Sequence, residues 1–279
     1  MPTNKKKVAV IGYGYVGKAI KAFFEGKFDV VIYDPLQGFA DRTAVVDADL
    51  AVVCVPTPMQ EDGHVDISAV EEILMWLRTP SIIIKSTIPP GTTKQLAERF
   101  MLADRLVFSP EFIGEEGYPV PYWEGMPHPT DMRQHHFHVL GGEEAARQKA
   151  VLFFQKVAGP FVEYRMTDST TAELMKYMEN VWIATKVSFV NDFYDIAKAF
   201  GVNYDELREL WLLDGRVGRS HTLVYPDKRG FTGKCIPKDT YGLYRAAQAA
   251  GHESGLVHAL LEQNARLQGQ PTPPLENKI

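Results

Sequence analysis

Cysteine is scarce: Cys54 and Cys235 are the only two in 279 residues. Two thiols at that separation make neither a disulfide framework nor a zinc-binding pattern, so each must be explained singly, and a reducing compartment fits. Long apolar runs are missing too. No stretch approaches the roughly 20 residues needed to cross a bilayer, and the N-terminus has no apolar segment ending in a cleavage site, so a cytoplasmic protein without a membrane partner is expected. There is no excess of positive charge: a net charge of −5 and a pI near 5.9 give no reason to expect nucleic acid as a partner. Lys5-Lys6-Lys7 reads as a solvated lead-in to the first strand. What is present, 45% hydrophobic and 23% charged residues, is the composition of a globular protein with a real core, in one large domain or two smaller ones.

Residues 7–17, KVAVIGYGYVG, form a β-rich run that breaks into Gly12, Gly14 and Gly17 before the helical pattern KAIKAFFEG. A second strand, FDVVIYD, ends on Asp34, 22 positions after Gly12. Strand, glycine turn, helix and an acid at the end of the next strand each have a separate job at a dinucleotide: tight turn, close backbone approach to pyrophosphate, helix packing and an acceptor for the ribose hydroxyl. A carboxylate at Asp34 would repel a 2′-phosphate, so NAD is expected rather than NADP.

The alternation continues through LAVVCVPTP (50–58), a helix over about 68–78, SIIIKST (81–87), a helix after Pro90-Gly91, RLVFSPEF (105–112) and HHFHVLGG (135–142). Strands so continuously apolar are buried on both faces, the mark of a parallel sheet flanked by helices. The expected fold is therefore α/β: a doubly wound Rossmann-type domain over 1–165, then an all-helical domain over 166–270 and a short tail, 271–279. Ligands of such sheets sit at the carboxyl ends of the strands, an edge that here carries Pro56-Thr57, Ser86-Thr87 and Pro110-Glu111. Cys54, inside an apolar strand, reads as a small buried hydrophobe. Of His135, His136 and His138, only the last two share a strand face and no acid or cysteine lies nearby in sequence, so no metal site is read there.

From Thr170 to Phe200 there is no glycine or proline, only helix-compatible residues opening with the capping box Thr170-x-x-Glu173 and closing on Gly201. Such a helix is about 45 Å long. Its apolar residues occupy more than one face, so burial against its own domain and against a second subunit is expected, making a homodimer through the helix. Lys176 and Asn180, four apart, are adjacent on one face and read either as a solvated stripe or as a functional pair.

GFTGKCIPKD (230–239) sets Cys235 between Lys234 and Lys238, before Pro237, at the start of a helix that runs to about Gly251. A helix N-terminus and two lysines favour thiolate over thiol, so Cys235 is a candidate nucleophile, and Gly230 and Gly233 are expected to leave its backbone mobile. Asp239 reads equally as a first-turn helix residue or a catalytic acid.

GYGYVG, VPTPMQEDGHVDIS, STIPPGTT, SPEF, AELMKYMEN followed by TKVSFVND, DGRVG and GFTGKCIPKD together resemble the UDP-glucose and GDP-mannose dehydrogenases, in order over nearly the whole chain. The resemblance implies a four-electron oxidation of a nucleotide sugar's 6-hydroxyl to a carboxylate with two NAD, UDP-glucose being the leading substrate. It implies that Cys235 captures the aldehyde as a thiohemiacetal that becomes a thioester, that Lys176 and Asn180 hold the oxyanion, and that Asp239 with Lys176 positions the water. Glu111 and Thr87 match the family's acid/base and water-holding residues. Gly12, Gly14, Tyr15, Val16, Gly17, Asp34, Pro56, Thr57, Thr87 and Lys238 are implied at the cofactor. Glu111, Phe112, Glu115, Lys176, Asn180 and Gly233 are implied at the substrate, with Arg216 reaching across a dimer to the neighbour's substrate.

Physically, an aldehyde must gain an oxygen or sulfur before a second hydride is available, and a cysteine supplies it without releasing the aldehyde. A cationic lysine beside the oxyanion lowers both barriers. Three features depart from the family. Its third domain, which holds much of the nucleotide, would begin about where this sequence stops, so the nucleotide half of the substrate site is expected to be mostly lacking. Thr232 and Lys234 stand where the family commonly has glycine and serine, and the stretch after Glu111 follows a different pattern. Two other readings stay open: a two-electron dehydrogenase of the 3-hydroxyacid type, which has a similar long helix and Lys-x-x-x-Asn pair but needs no cysteine, and a non-enzymatic NAD-binding dimer.

Overall fold

The computed structural model describes residues 5–113 and 131–271. The chain divides into two compact units, one of residues 1–58 and 66–176 and one of residues 59–65 and 177–279.

The first unit is built on a seven-stranded sheet of order β2-β1-β3-β4-β5-β6-β7. Its strands are β1 (Lys7–Ile11), β2 (Asp29–Tyr33), β3 (Leu50–Val53), β4 (Ile82–Ile84), β5 (Leu106–Phe108), β6 (Phe137–Gly142) and β7 (Glu163–Thr167). Helices α1 (Tyr15–Phe24), α2 (Thr43–Val46), α3 (Ser68–Trp76), α4 (Thr92–Arg99) and α5 (Glu144–Ala158) connect them. Side chains alternate across the sheet. Ala9, Ile11, Ala51, Val53, Ile82, Ile84 and Phe108 enter one apolar layer, and Val8, Val10, Leu50, Val52, Ile83 and Val107 enter the other. Two covered faces explain why the strands read as unbroken apolar runs.

The sheet departs from the all-parallel expectation at one place. β1 to β5 run parallel, but β6 pairs antiparallel with β5, through Val107 with Gly142 and Phe108 with Gly141. A parallel pair needs a crossover that carries the chain back to its starting edge. The chain instead enters β6 from the edge at which it leaves β5, so Phe112 and Phe137 meet there with ring centroids 5.4 Å apart. α5 then supplies a crossover, and β7 runs parallel to β6. β7 has no counterpart in the sequence reading because EYRMT is largely exposed and has no apolar run.

α6 (Ser169–Ala199) is a single helix of 31 residues, as its uninterrupted composition requires. Its start differs from the expected capping box. Asp168 caps it instead, accepting hydrogen bonds from the Thr171 amide at 2.9 Å and the Thr171 hydroxyl at 2.6 Å. Glu173 is fully buried and serves a different helix, its carboxylate accepting the amides of Gly91 (2.6 Å) and Thr93 (2.7 Å). Gly91 provides no side-chain cap to α4, so Glu173 satisfies N–H groups that the helix leaves unpaired. With Ala172 in the sheet's core layer, these contacts tie the first two turns of α6 to the first unit, whereas the sequence reading ends the Rossmann domain at residue 165.

The second unit comprises the rest of α6 with α7 (Tyr204–Trp211), α8 (Ile236–Ala249) and α9 (Gly255–Gln268). Val181 and Ala184 of α6 pack with Phe231, Tyr241, Tyr244, Val257, Leu260 and Leu261. At 100° per residue the two long stripes of α6 separate cleanly. Glu173, Lys176, Asn180 and Asn191 fall on one side, all buried; Met178, Trp182, Phe189, Phe193 and Ile196 fall on the other, all at least 40% exposed.

Candidate active site

In the first unit the glycine turn is closed by close approach. Gly12 has φ +87°, and a Cβ there would lie 2.7 Å from the Cys54 carbonyl oxygen. A Cβ on Gly17 would lie 2.0 Å from the Gly12 carbonyl oxygen, so α1 packs on the turn at a distance only glycine allows. Gly14 is the residue before α1, and Tyr15 and Val16 begin it, leaving the first amides of the helix facing the end of the sheet. Asp34 follows β2, and its Oδ2 accepts the Tyr13 amide at 2.7 Å and the Gln37 side-chain amide at 3.1 Å. The acid is thus fixed beside the turn that the sequence pairs it with.

Along the same edge, the Thr57 hydroxyl donates to the Thr87 carbonyl (2.8 Å) and the Ser86 hydroxyl to the Val55 carbonyl (2.7 Å), joining the loops after β3 and β4. Pro56 is exposed. Glu111 is 9% exposed; its Oε2 accepts the Ile113 amide at 2.7 Å. The Lys176 ammonium donates to the Glu111 carbonyl at 2.7 Å, lies 3.1 Å from Glu111 Oε1 and sits 5.5 Å from the centre of the Phe112 ring. Lys176 and Glu111 are therefore a buried pair with the half-buried Phe112 ring beside it, and the solvated-stripe reading of Lys176 does not hold. Glu115 lies outside the described residues.

A lysine that sequence reasoning passed over stands beneath this cluster. Lys85, 2% exposed, donates to the Ser109 hydroxyl and the Pro110 carbonyl, both at 3.0 Å, and so holds the segment leading to Glu111. Burial lowers it to about 8 and pushes the neighbouring Cys54 thiol up to about 12, which leaves Cys54 an inert thiol at neutral pH. A lysine directly after the apolar run Ile82-Ile83-Ile84 was the available signal. His138 is buried among the Phe23, Phe154 and Tyr164 rings, which lowers it to about 3, while His136 lies outside β6 and is exposed. The two do not share a face. Among the described residues no group of three or more His, Cys, Asp or Glu is placed to hold a metal ion.

In the second unit Cys235 is exposed at the N-cap of α8, with Pro237 in its first turn. The Asp239 amide donates to the Cys235 carbonyl at 2.9 Å, so the two residues bracket one helical turn. Asp239 is 1% exposed; Asn180 donates to its Oδ2 and Lys238 pairs with its Oδ1, each at 2.5 Å. Lys238, expected at the cofactor, is thereby the partner of Asp239. Gly233 has φ +89°, the left-handed region that its turn requires. Arg216 is exposed and paired with Asp214 two residues before it.

Known proteins carry the same architecture. The model of the UDP-glucose/GDP-mannose dehydrogenase family, NAD binding domain, matches residues 36–121, and that of the family's central domain matches residues 170–266. This chain belongs to the UDP-glucose/GDP-mannose dehydrogenase family. A UDP-glucose 6-dehydrogenase of Bacillus subtilis is 29% identical to it, over 94% of this chain and 63% of the relative. The structure of a UDP-glucose dehydrogenase from Pyrobaculum islandicum superposes with a TM-score of 0.78 at 26% identity, covering 95% of this chain and 69% of that one. A 3-hydroxyisobutyrate dehydrogenase of Mycobacterium tuberculosis has a TM-score of 0.69 at 16% identity over 96% of both chains, a likeness of fold alone.

The cofactor of the family fits the first unit on its own geometry. Gly14, directly before α1, has nothing within 4 Å of where a Cβ would stand, which leaves open space for phosphate at the start of the helix, and Asp34 offers a carboxylate for a ribose hydroxyl. A separate cavity of about 450 Å³, lined by Lys6, Phe28, Ser81 and Phe153 among others, opens at the amino ends of the strands, away from this edge. No described helix is long and apolar enough to cross a membrane.

Proposed function

We propose that this chain oxidises the 6-hydroxyl of a nucleotide sugar, UDP-glucose first among them, to the carboxylate, with Cys235 as the nucleophile. The observation that carries the reading is the exposed Cys235 at the N-terminus of α8, one turn from the buried Asp239 that Asn180 and Lys238 hold. NAD, when bound, supplies the hydride acceptor, one molecule for each of the two oxidations. In the first oxidation the alcohol loses a proton and a hydride and becomes the aldehyde. The Cys235 sulfur then adds to the aldehyde carbon, and the new oxyanion takes a proton to give a thiohemiacetal. Loss of a second hydride and that proton leaves a thioester on Cys235. Water attacks the thioester carbon, the C–S bond breaks, and carboxylate and thiol are released. The balance is one alcohol, one water and two NAD consumed for one carboxylate, two NADH and three protons.

The roles are those that the resemblance to the family implies, and the charge and setting of several groups support them. Lys176 and Asn180 donate to the oxyanion in each tetrahedral stage, where preorganised donors act at low dielectric. Asp239, in turn, accepts the proton of the attacking water. Glu111 is the acid/base partner of Lys176, supported by their buried pairing, and Thr87 holds water beside it. Gly12, Gly14, Gly17, Tyr15, Val16, Asp34, Pro56, Thr57 and Lys238 serve the cofactor. Phe112, Gly233 and Arg216 serve the sugar, with Arg216 acting on the partner copy's substrate. The exposed apolar stripe of α6 is covered by a second copy of this chain, because an apolar face running along so long a helix costs too much in water to stay bare. A reactive thiol and the use of NAD suit the cytosol.

The chain spans 63% of the length of the Bacillus relative, so activity on an intact UDP-sugar is part of what the experiment must establish. The test is the number of NADH formed per UDP-glucose consumed, with UDP- and GDP-sugars compared and Cys235→Ser beside the wild type. Two NADH per sugar, lost in the variant, is the expected result. One NADH with an indifferent variant would move the chain to the two-electron dehydrogenases; NAD binding without turnover would leave a non-enzymatic dimer.

A further inference from the structure

The cysteine loop is held at its root by residues that the catalytic reading does not use. Gly230, Phe231 and the residue before them, Arg229, are gripped by side chains from two helices of the second unit. Asn264 of α9, 8% exposed, forms a reciprocal pair with the Phe231 backbone: its Oδ1 accepts the Phe231 amide at 2.7 Å and its Nδ2 donates to the Phe231 carbonyl at 3.1 Å. Gln268, one turn further along α9, donates to the same carbonyl at 2.9 Å. From α6, Asn191 Oδ1 accepts from the Arg229 Nε at 2.6 Å and from the Gly230 amide at 3.3 Å, while Asp195 pairs with the Arg229 guanidinium at 2.8 Å. Gly230 has φ +78°, and a Cβ on it would fall 2.4 Å from Asn264 Oδ1. Glycine is therefore required there by the left-handed φ and by the close contact with Asn264.

The consequence reaches Cys235. Phe231 is 3% exposed with its ring in the core of the unit, and Asp239 is 1% exposed and hydrogen-bonded to Asn180. Between these two pinned points only residues 232–235 are exposed. Since α8 begins at Ile236 and the Asp239 amide holds the Cys235 carbonyl, the four residues 232–235 run from a pinned Phe231 to a helix start and have few ways to place the last side chain, so the thiol is presented from a preset position without being buried.

We propose that Asn264 is a positioning residue for Cys235: through its paired hydrogen bonds to Phe231 it sets where the thiol stands, and so whether the aldehyde is captured before it leaves. This rests on the reading of Cys235 as the nucleophile. The role requires no contact of Asn264 with sugar or cofactor. Its loss acts on the partition of the aldehyde between capture and escape, not on the first oxidation.

The experiment uses the full chain with Asn264→Ala, and Gln268→Ala as a milder variant that removes only one donor to the Phe231 carbonyl. The first arm measures NADH formed per UDP-glucose consumed with hydroxylamine present to trap released aldehyde. Because this is a ratio per turnover, it is unaffected by the fraction of protein that is folded. The expected result is two NADH per sugar in the wild type, a fall toward one with trapped aldehyde in Asn264→Ala, an intermediate value in Gln268→Ala, and a KM for the sugar within about twofold of wild type. The second arm follows hydrogen–deuterium exchange of the peptide covering 231–235, expected to quicken about tenfold or more in Asn264→Ala. A ratio of two in Asn264→Ala overturns the proposal, whether or not exchange changes, since the contact is then structural only. If the wild type itself forms fewer than two NADH, the reading of Cys235 fails, and the exchange arm alone decides whether Asn264 fixes the loop; unchanged exchange overturns that as well.

Discussion

Glu173→Gln separates the titration of a buried carboxylate from every other pH effect in the protein. Glu173 is fully buried, and burial raises it from an ordinary 4.5 to about 7 despite the amides of Gly91 and Thr93 that favour its charged form. An acid whose value is higher in the fold than in the unfolded chain binds protons on folding. Its contribution is fully present below about 4.5 and is lost as pH rises through about 7. The distance from 4.5 to about 7 corresponds to about 3 kcal/mol, of which about 2.5 kcal/mol falls between pH 5 and 8. His138 and His221, both lowered by burial, run the other way and cost stability as pH falls below their ordinary 6.5. The quantity to read is therefore the difference between wild type and variant, since both share the histidines.

Glutamine keeps one acceptor for the two amides and turns a donor toward the other, a loss of about 1–3 kcal/mol that does not vary with pH. Urea denaturation of both proteins at pH 5, 6, 7 and 8 supplies the curve. The wild type's advantage is expected to be largest at pH 5 and to shrink by about 2.5 kcal/mol by pH 8. A difference that is the same at pH 5 and pH 8 would refute the reasoning, because Glu173 would then be ionised across the whole range.

Gly17→Ala places a methyl 2.0 Å from the Gly12 carbonyl oxygen, where the nearest atoms are backbone and cannot yield cheaply; NAD affinity by calorimetry should fall at least tenfold, with a stability loss of about 1–3 kcal/mol. Lys85→Met removes the donor to Ser109 and Pro110 and should cost about 1–3 kcal/mol at neutral pH. Since Lys85 is lowered to about 8 from an ordinary 10.5, the wild type should gain stability over this variant as pH rises from 8 to 10.5 in thermal melts, and a constant difference would exclude a lowered amine. Trp182→Glu sets a charge in the middle of the exposed apolar stripe of α6; sedimentation should show a dimer for the wild type and a monomer for the variant, a wild-type monomer would refute the proposed second copy, and a variant that stays dimeric would locate the interface elsewhere.

Much of the fold could be read from residue order because its signals are local. β1, the glycine turn, α1 and Asp34 are contiguous, and each carries its own backbone or charge requirement. The 31-residue α6 was legible from composition alone, since nothing in it interrupts a helix. The antiparallel β6 was not, because strand direction depends on where the chain re-enters the sheet and leaves no mark on the strand's own residues. The capping box failed for a related reason. Thr170 and Glu173 have the right spacing, but Asp168 stands closer to the start of α6, and burial carried Glu173 to α4.

By itself, then, the sequence determined the chemistry available to this protein: a dinucleotide turn at Gly12 to Gly17, a thiol at the head of a helix, and a lysine and an asparagine one turn apart. Only the tertiary structure decided which partners those groups have. Lys176 meets Glu111 across 65 positions of sequence and Asn180 meets Asp239 across 59, contacts that no short-range pattern encodes. It also decided that Gly230 makes room for Asn264 and that Lys85 supports Pro110, because the steric space at a Cβ and the carbonyl within reach of an ammonium exist only once the chain has packed.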